Sequence, residues 1–187
     1  MKEVNYNETE NDTMPDSRYP KLTPGGYVAV ITKVTDCPVG YNEKKPDSGD
    51  FLRIEFDIES GDLAGYYTRL QTKFGFWGGT FFRSYKPSCA GMFKKFISTV
   101  QKSNPDLAWN WNGSNDEKML EGKRIGVILE PETYTTLDGR IKEKMRVKKV
   151  VTVDEIESGN YTNPEPVMVV SAKSPDTMEN ITADVPF

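Results

Sequence analysis

The residues with the clearest chemical potential lie between Tyr66 and Lys86, in the stretch YYTRLQTKFGFWGGTFFRSYK. It holds eight aromatic side chains, four cations and three glycines, and no carboxylate. A folding core wants aromatics without charge, and a solvated loop wants charge without aromatics. Unpaired nucleic acid wants both, because bases stack on aromatic faces while Lys and Arg follow the phosphates. Arg69, Lys73, Arg83 and Lys86 are the phosphate candidates, and Tyr67, Phe76, Trp77, Phe82 and Tyr85 the stacking candidates. A second set of cations, Lys142, Lys144, Arg146 and Lys148, recurs at alternate residues and so shares one face of a strand. Like charges on one strand face repel, and a bound polyanion would relieve them. Arg53, beside Phe51 in an alternating run, extends the candidate surface.

Other chemistries find little support. The chain has no histidine, which excludes His-based triads and His-ligated zinc, and Cys37 and Cys89 lack C-x-x-C spacing. Gly122-Lys123-Arg124 has neither the upstream glycine nor the Ser/Thr of a phosphate-binding loop. Pro46-Asp47 is not followed by the acid-x-Lys arrangement of a metal-dependent nuclease, since the next strand reads Arg53-Ile54-Glu55-Phe56-Asp57. A non-enzymatic binding protein without metal or cofactor is expected.

Charge is partitioned along the 187 residues: residues 1–20 carry −3, residues 21–153 carry +5, and residues 154–187 carry −6. A basic middle between acidic ends suits a domain that binds anions. The apolar fraction of 36% is low for a chain packed throughout, so both ends are expected to be disordered. The polar, acidic start MKEVNYNETENDTMPDS reads as neither signal peptide nor membrane anchor, and no apolar run is long enough to span a bilayer. With its sparse cysteines, the chain is expected in the cytoplasm. The predicted organisation is an acidic arm over 1–20, one domain over 21–157 and an acidic tail over 158–187.

Within the domain, YVAVITKV (27–34) is a β-branched run that predicts a buried strand. FLRIEFDI (51–58) alternates, with Leu52, Ile54, Phe56 and Ile58 on one face. A third strand is expected from about Gly65, with Tyr67, Arg69, Gln71 and Lys73 outward and Tyr66, Leu70 and Phe74 inward. The glycine-spaced Phe74–Gly79 stretch then reads as a flexible loop. Pro87-Ser88 opens a helix, with Ser88 as cap and Cys89, Met92, Phe93, Phe96, Ile97 and Val100 on its core face. Asn104-Pro105 ends it. KRIGVILE (123–130) and IKEKMRVKKVVTV (141–153) complete the set around a turn at Leu137–Arg140. Ile141, Met145 and Val147 oppose the cationic face, and a bulge near Lys148-Lys149 is needed to keep Val150 inside. Five strands with a helix between the third and fourth is the order of an OB-fold barrel, a mainly β class, with a curved α+β sheet as the alternative.

GYVAVITKV, RLQTKFGFW followed by FFRSYK, the KSNP helix end, LEGKRIGVILEPETY and DGRIKEKMRVKKVVTVDEI together resemble single-stranded DNA-binding proteins of phages and prophages of Gram-positive bacteria. The resemblance covers roughly residues 20–165 as a series of short motifs. It implies an OB-type barrel that coats single-stranded DNA during replication or recombination in a bacterial host cell, and it supplies no catalytic residues. The end of the chain, Asp184-Val185-Pro186-Phe187, resembles the tip with which bacterial single-stranded DNA-binding proteins recruit replication and recombination partners. A protein-interaction module without nucleic-acid binding is the competing expectation. The Phe-rich loop is equally suited to pack against a second copy, which leaves a homo-oligomer open.

Overall fold

Alternating apolar side chains commit most of this chain to strands, and the computed structural model, which describes residues 21–44, 47–113, 115–135 and 139–164, shows how they pair. Among the described residues there are five strands, all antiparallel: β1 (Gly25–Cys37), β2 (Phe51–Ile58), β3 (Thr80–Ser84), β4 (Arg124–Thr135) and β5 (Ile141–Val151). They form one sheet in the spatial order β3-β2-β1-β4-β5. Three α-helices accompany them, α1 (Tyr66–Phe74), α2 (Ala90–Ser103) and α3 (Val153–Glu157). The chain is thus mainly β, with a helix between its third and fourth strands as expected. The sheet curls without closing, because no ladder joins the edge strands β3 and β5.

The core lies on the concave face. Ile31, Ile54, Phe56, Ile125, Val127 and Leu129 are buried from the sheet, and Phe96, Ile97 and Val100 are buried from α2, which packs across it. Each such side chain contributes about 1.5–3 kcal/mol by leaving water. Two irregularities bend the sheet. In β1 the pairing with β2 slips between Ile31 and Lys33, where Ile31 exchanges backbone hydrogen bonds with Gly122 and Lys123 instead. In β5 the partner of Leu129 is Val147 and the partner of Ile128 is Lys149, so Lys148 is the extra residue of a bulge. That bulge is the one the alternation required, and it lets Val150 pack against the core.

The largest departure from expectation is the segment after β2. Residues 66–74 form α1 rather than a third strand, and the true third strand is β3. The facing is accordingly inverted at two positions, with Tyr67 buried at 4% exposure and Phe74 exposed at 47%. Asp57 gives the physical reason. Its Oδ1 accepts the backbone N–H groups of Ile58 and Tyr67, each at 2.8 Å, and its Oδ2 accepts the N–H and hydroxyl of Thr68 at 3.0 and 2.6 Å. Tyr67 and Thr68 supply first-turn donors that an α-helix leaves unmade, and a carboxylate there also suits the helix dipole. At the other end Gly75, with φ 73°, closes the helix through its N–H to the Gln71 carbonyl.

Smaller corrections follow the same logic. Pro87–Cys89 is a 3-10 turn ahead of α2, and Ser88 makes no capping bond. Met92 is 68% exposed and Ile141 is 61% exposed, so neither joins the core face expected of it. The short helix α3 was not anticipated, although Thr152-Val153-Asp154-Glu155 is a capping box in which Thr152 and Glu155 each accept from the other's backbone. The described chain continues to Pro164, which is buried. Residues 1–20, the turn tip 136–138 and the tail from 165 lie outside the described residues.

Asp57→Ala leaves two helix donors and a hydroxyl with no acceptor, and is expected to lower unfolding free energy by about 2–4 kcal/mol in urea titrations. Asp57→Asn, which retains one acceptor, is expected to lose less. A loss near zero for the alanine variant would show that α1 does not depend on this carboxylate.

Candidate nucleic-acid interface

α1 and the following residues bring the strip opposite the far end of the sheet. Gly79 makes the return possible, because a Cβ there would meet the Phe56 carbonyl oxygen at 2.3 Å and the Tyr67 ring at 2.5 Å. The Gly79 carbonyl accepts both the Phe56 N–H and the Trp77 indole N–H, each at 2.9 Å. The expected flexible loop is therefore pinned, and Trp77 is half-buried, tilted against Tyr67 with centroids 6.1 Å apart.

An open cleft of about 870 Å³ results, its walls drawn from three parts of the chain. Tyr66, Tyr67, Phe76 and Trp77 form one side, Arg53, Thr80 and Phe82 of β2 and β3 another, and Tyr134, Glu143, Lys144 and Met145 of the β4–β5 hairpin the third. Lys21, Leu22 and Tyr41 also line it. Of the residues singled out in the sequence, Arg53, Tyr67, Phe76, Trp77, Phe82 and Lys144 come together here. Tyr67 belongs to the floor, covered by Phe56 at 5.3 Å and Tyr66 at 5.2 Å, so it supports the cleft and offers no free ring face.

The rim is aromatic and open. Phe76 is 55% exposed, Phe82 56%, Tyr41 49% and Tyr134 42%. Phe82 stands edge-on to Phe51 at 5.4 Å, and Phe51 in turn meets Tyr41 at 6.1 Å. The charge of the lining is three cations, Lys21, Arg53 and Lys144, against the single carboxylate of Glu143. Arg53 is held by Glu55 at 2.9 Å, and the Lys144 ammonium lies 5.4 Å from the centre of the Tyr134 ring.

The remaining candidates lie elsewhere. Arg69 and Lys73 are on the exposed side of α1, the first reaching the Asp62 carbonyl and the second the Phe74 ring. Arg83 lies over the Phe81 and Phe96 rings, at 4.7 and 5.6 Å, where burial lowers its pKa. Tyr85 turns away and donates to Asp36 at 2.7 Å, with Lys86 following it. The cations of β5 do share a face, yet their counter-charge is internal. Glu130 pairs with Arg146 at 2.7 Å and Lys148 at 3.0 Å, and Glu132 pairs with Lys144 at 3.1 Å and Arg146 at 2.9 Å. The repulsion that seemed to require a bound polyanion is thus already relieved by β4. Lys142 stands opposite Tyr134 in the same ladder.

Sequence reasoning missed Lys21, Tyr41, Tyr66 and Tyr134 as cleft residues. Tyr134 alone carried a signal, since it alternates in phase with Glu130 and Glu132 and so shares the face of the β5 cations. Among models of known protein families none matches this chain, and no curated protein matches it either. Among the described residues no helix is long and apolar enough to cross a membrane.

Hydrogen bonds from Arg146 and Lys148 hold Glu130 below the usual carboxylate range, and that from Lys144 does the same for Glu132. Groups whose pKa is depressed on folding add stability above their unfolded value, about 4.3 for Glu, and lose it as pH falls through the folded value. Carbon-13 titration of the two carboxyls is expected to give midpoints below about 4.3. Midpoints at or above that value would mean the ladder does not persist in solution.

Proposed function

We propose that this protein binds single-stranded DNA with little sequence preference, bases stacking on the exposed rings and phosphates meeting the cleft cations. The observation that carries the reading is the rim of exposed aromatics, Tyr41, Phe76, Phe82 and Tyr134, around a cleft lined by Lys21, Arg53 and Lys144. Exposed rings with cations between them are costly to leave in water and suit a flexible polyanion with π faces. The strand order and the place of the cleft support an OB-type barrel. It sits against β2 and β3, between the β1–β2 connection and the β4–β5 hairpin, where OB-folds take oligonucleotides. The sheet itself is open at the seam between β3 and β5.

The resemblance to phage and prophage single-stranded DNA-binding proteins gives the setting of this reading, strand protection during replication or recombination in the bacterial cytoplasm. Partner recruitment through Asp184, Val185, Pro186 and Phe187 stays part of it, carried by sequence because the tip lies outside the described residues.

Titration with oligo-dT is expected to quench Trp77 emission and to weaken with salt, log K falling by about 0.7 per phosphate neutralised for each tenfold rise in salt, and so by about 2 per decade for the three cleft cations. Phe76→Ala and Phe82→Ala, both at exposed rings, are expected to cost about 1–3 kcal/mol each in affinity while the fold persists. Glu132→Gln removes a competitor for Lys144 and is expected to tighten binding. If neither single nor double strands bind at low salt, the reading is wrong and a protein-interaction module takes its place.

A further inference from the structure

A second cleft, of about 570 Å³, opens on the opposite side of β2. Leu52 lines it while the next residue, Arg53, lines the first, and successive strand residues point to opposite faces. One wall is the α2 face bearing Ala90, Phe93 and Lys94, and the other is the loop carrying Trp109 and Trp111. Its rings run in series. Tyr85 meets Phe93 at 6.2 Å and Phe93 meets Trp109 at 6.3 Å, both edge to face, which makes a continuous aromatic floor. Trp111, 47% exposed, stands at the rim with the Lys94 ammonium 5.6 Å from its ring centre.

The charge here is reversed. Two carboxylates, Asp36 and Glu117, line the second cleft against one lysine, whose ammonium is already engaged by Trp111. Asp36 also accepts the Tyr85 hydroxyl at 2.7 Å, which fixes that ring and burial with it raises the Tyr85 pKa. A phosphate chain would meet carboxylates in this cleft, whereas a guanidinium or ammonium would be paired. Asn115 is engaged within the loop, its Oδ1 accepting the Asn110 N–H at 2.7 Å and its amide donating to the Asn110 carbonyl, which holds the wall bearing Trp109 and Trp111.

We propose that the second cleft is a protein-docking site that takes an extended, proline-rich segment bearing a basic residue. Its prolines lie against the open ring surface of Phe93, Trp109 and Trp111, and the basic side chain pairs with Asp36 or Glu117. Such segments bind aromatic-lined grooves at small entropic cost because their conformation is already set. The proposal is independent of the nucleic-acid reading, since the two clefts share no residue.

The three tryptophans provide the test, with Trp77 in the first cleft and Trp109 and Trp111 in the second. Indole N–H resonances of the full chain would be followed during titration with a synthetic proline-leucine peptide flanked by arginines. Its counterpart with glutamates in place of the arginines, and oligo-dT, would be titrated separately. The arginine peptide is expected to shift Trp109 and Trp111 saturably and leave Trp77 in place. Trp111→Ala is expected to weaken that binding roughly tenfold with oligo-dT affinity unchanged. No shift at about 1 mM peptide, the weak limit of specific binding, would overturn the proposal. So would equal shifts from the glutamate peptide, or perturbation of Trp111 by oligo-dT, which would give this cleft to nucleic acid.

Discussion

The arrangement of this protein turns on one buried carboxylate. Asp57 is only 4% exposed and satisfies four donors at the point where the sheet gives way to α1. A buried charge is tolerable when every lone pair is occupied, and here the acceptors and the helix dipole act together. Because the chain is held as a helix at this point, it leaves the sheet after β2 and returns to it through the narrow passage at Gly79. The aromatic strip is thereby divided into a buried support, Tyr67, and a presented rim, Phe76 and Phe82. A continuous strand would have spread the same residues along one ladder and made no cleft.

Most of the sheet was legible from alternation. β2 falls on the residues expected, 51–58, and the inward triplet Ile125, Val127 and Leu129 is fully buried. The bulge at Lys148 was deduced from a break in parity and is present. α1 was misread because YYTRLQTKF satisfies two periods at once: Tyr67, Leu70 and Phe74 are spaced for a helix as well as mixed for a strand. Glycines at both ends of that segment, Gly65 and Gly75, were the available signal, while the deciding acceptor came from a strand residue ten positions earlier. The site was less legible than the fold. A cation row on β5 can be seen in a sequence, but whether Glu130 and Glu132 face it depends on strand register, which only the pairing reveals.

The two clefts differ in the sign of their lining charge. Both are built from aromatic rings, so apolar contact alone would not discriminate between them. What differs is the lining charge, cationic beside Phe82 and Tyr134 and carboxylate-rich beside Trp109 and Trp111. Of the hairpin ion pairs, that of Glu132 with Lys144 reaches the lining of the first.

The unjoined edges of the sheet have a mechanical consequence. The first cleft lies between β3, through Thr80 and Phe82, and β5, through Lys144 and Met145, and those two strands share no backbone ladder. Widening the gap therefore breaks no hydrogen bond between these two strands and is resisted by side-chain packing and the bending stiffness of the sheet. The jaw is compliant across its mouth and stiff along its walls. On the proposed reading, purines and pyrimidines differ in the width of their rings, and a mouth of this kind would admit both between the same aromatic residues.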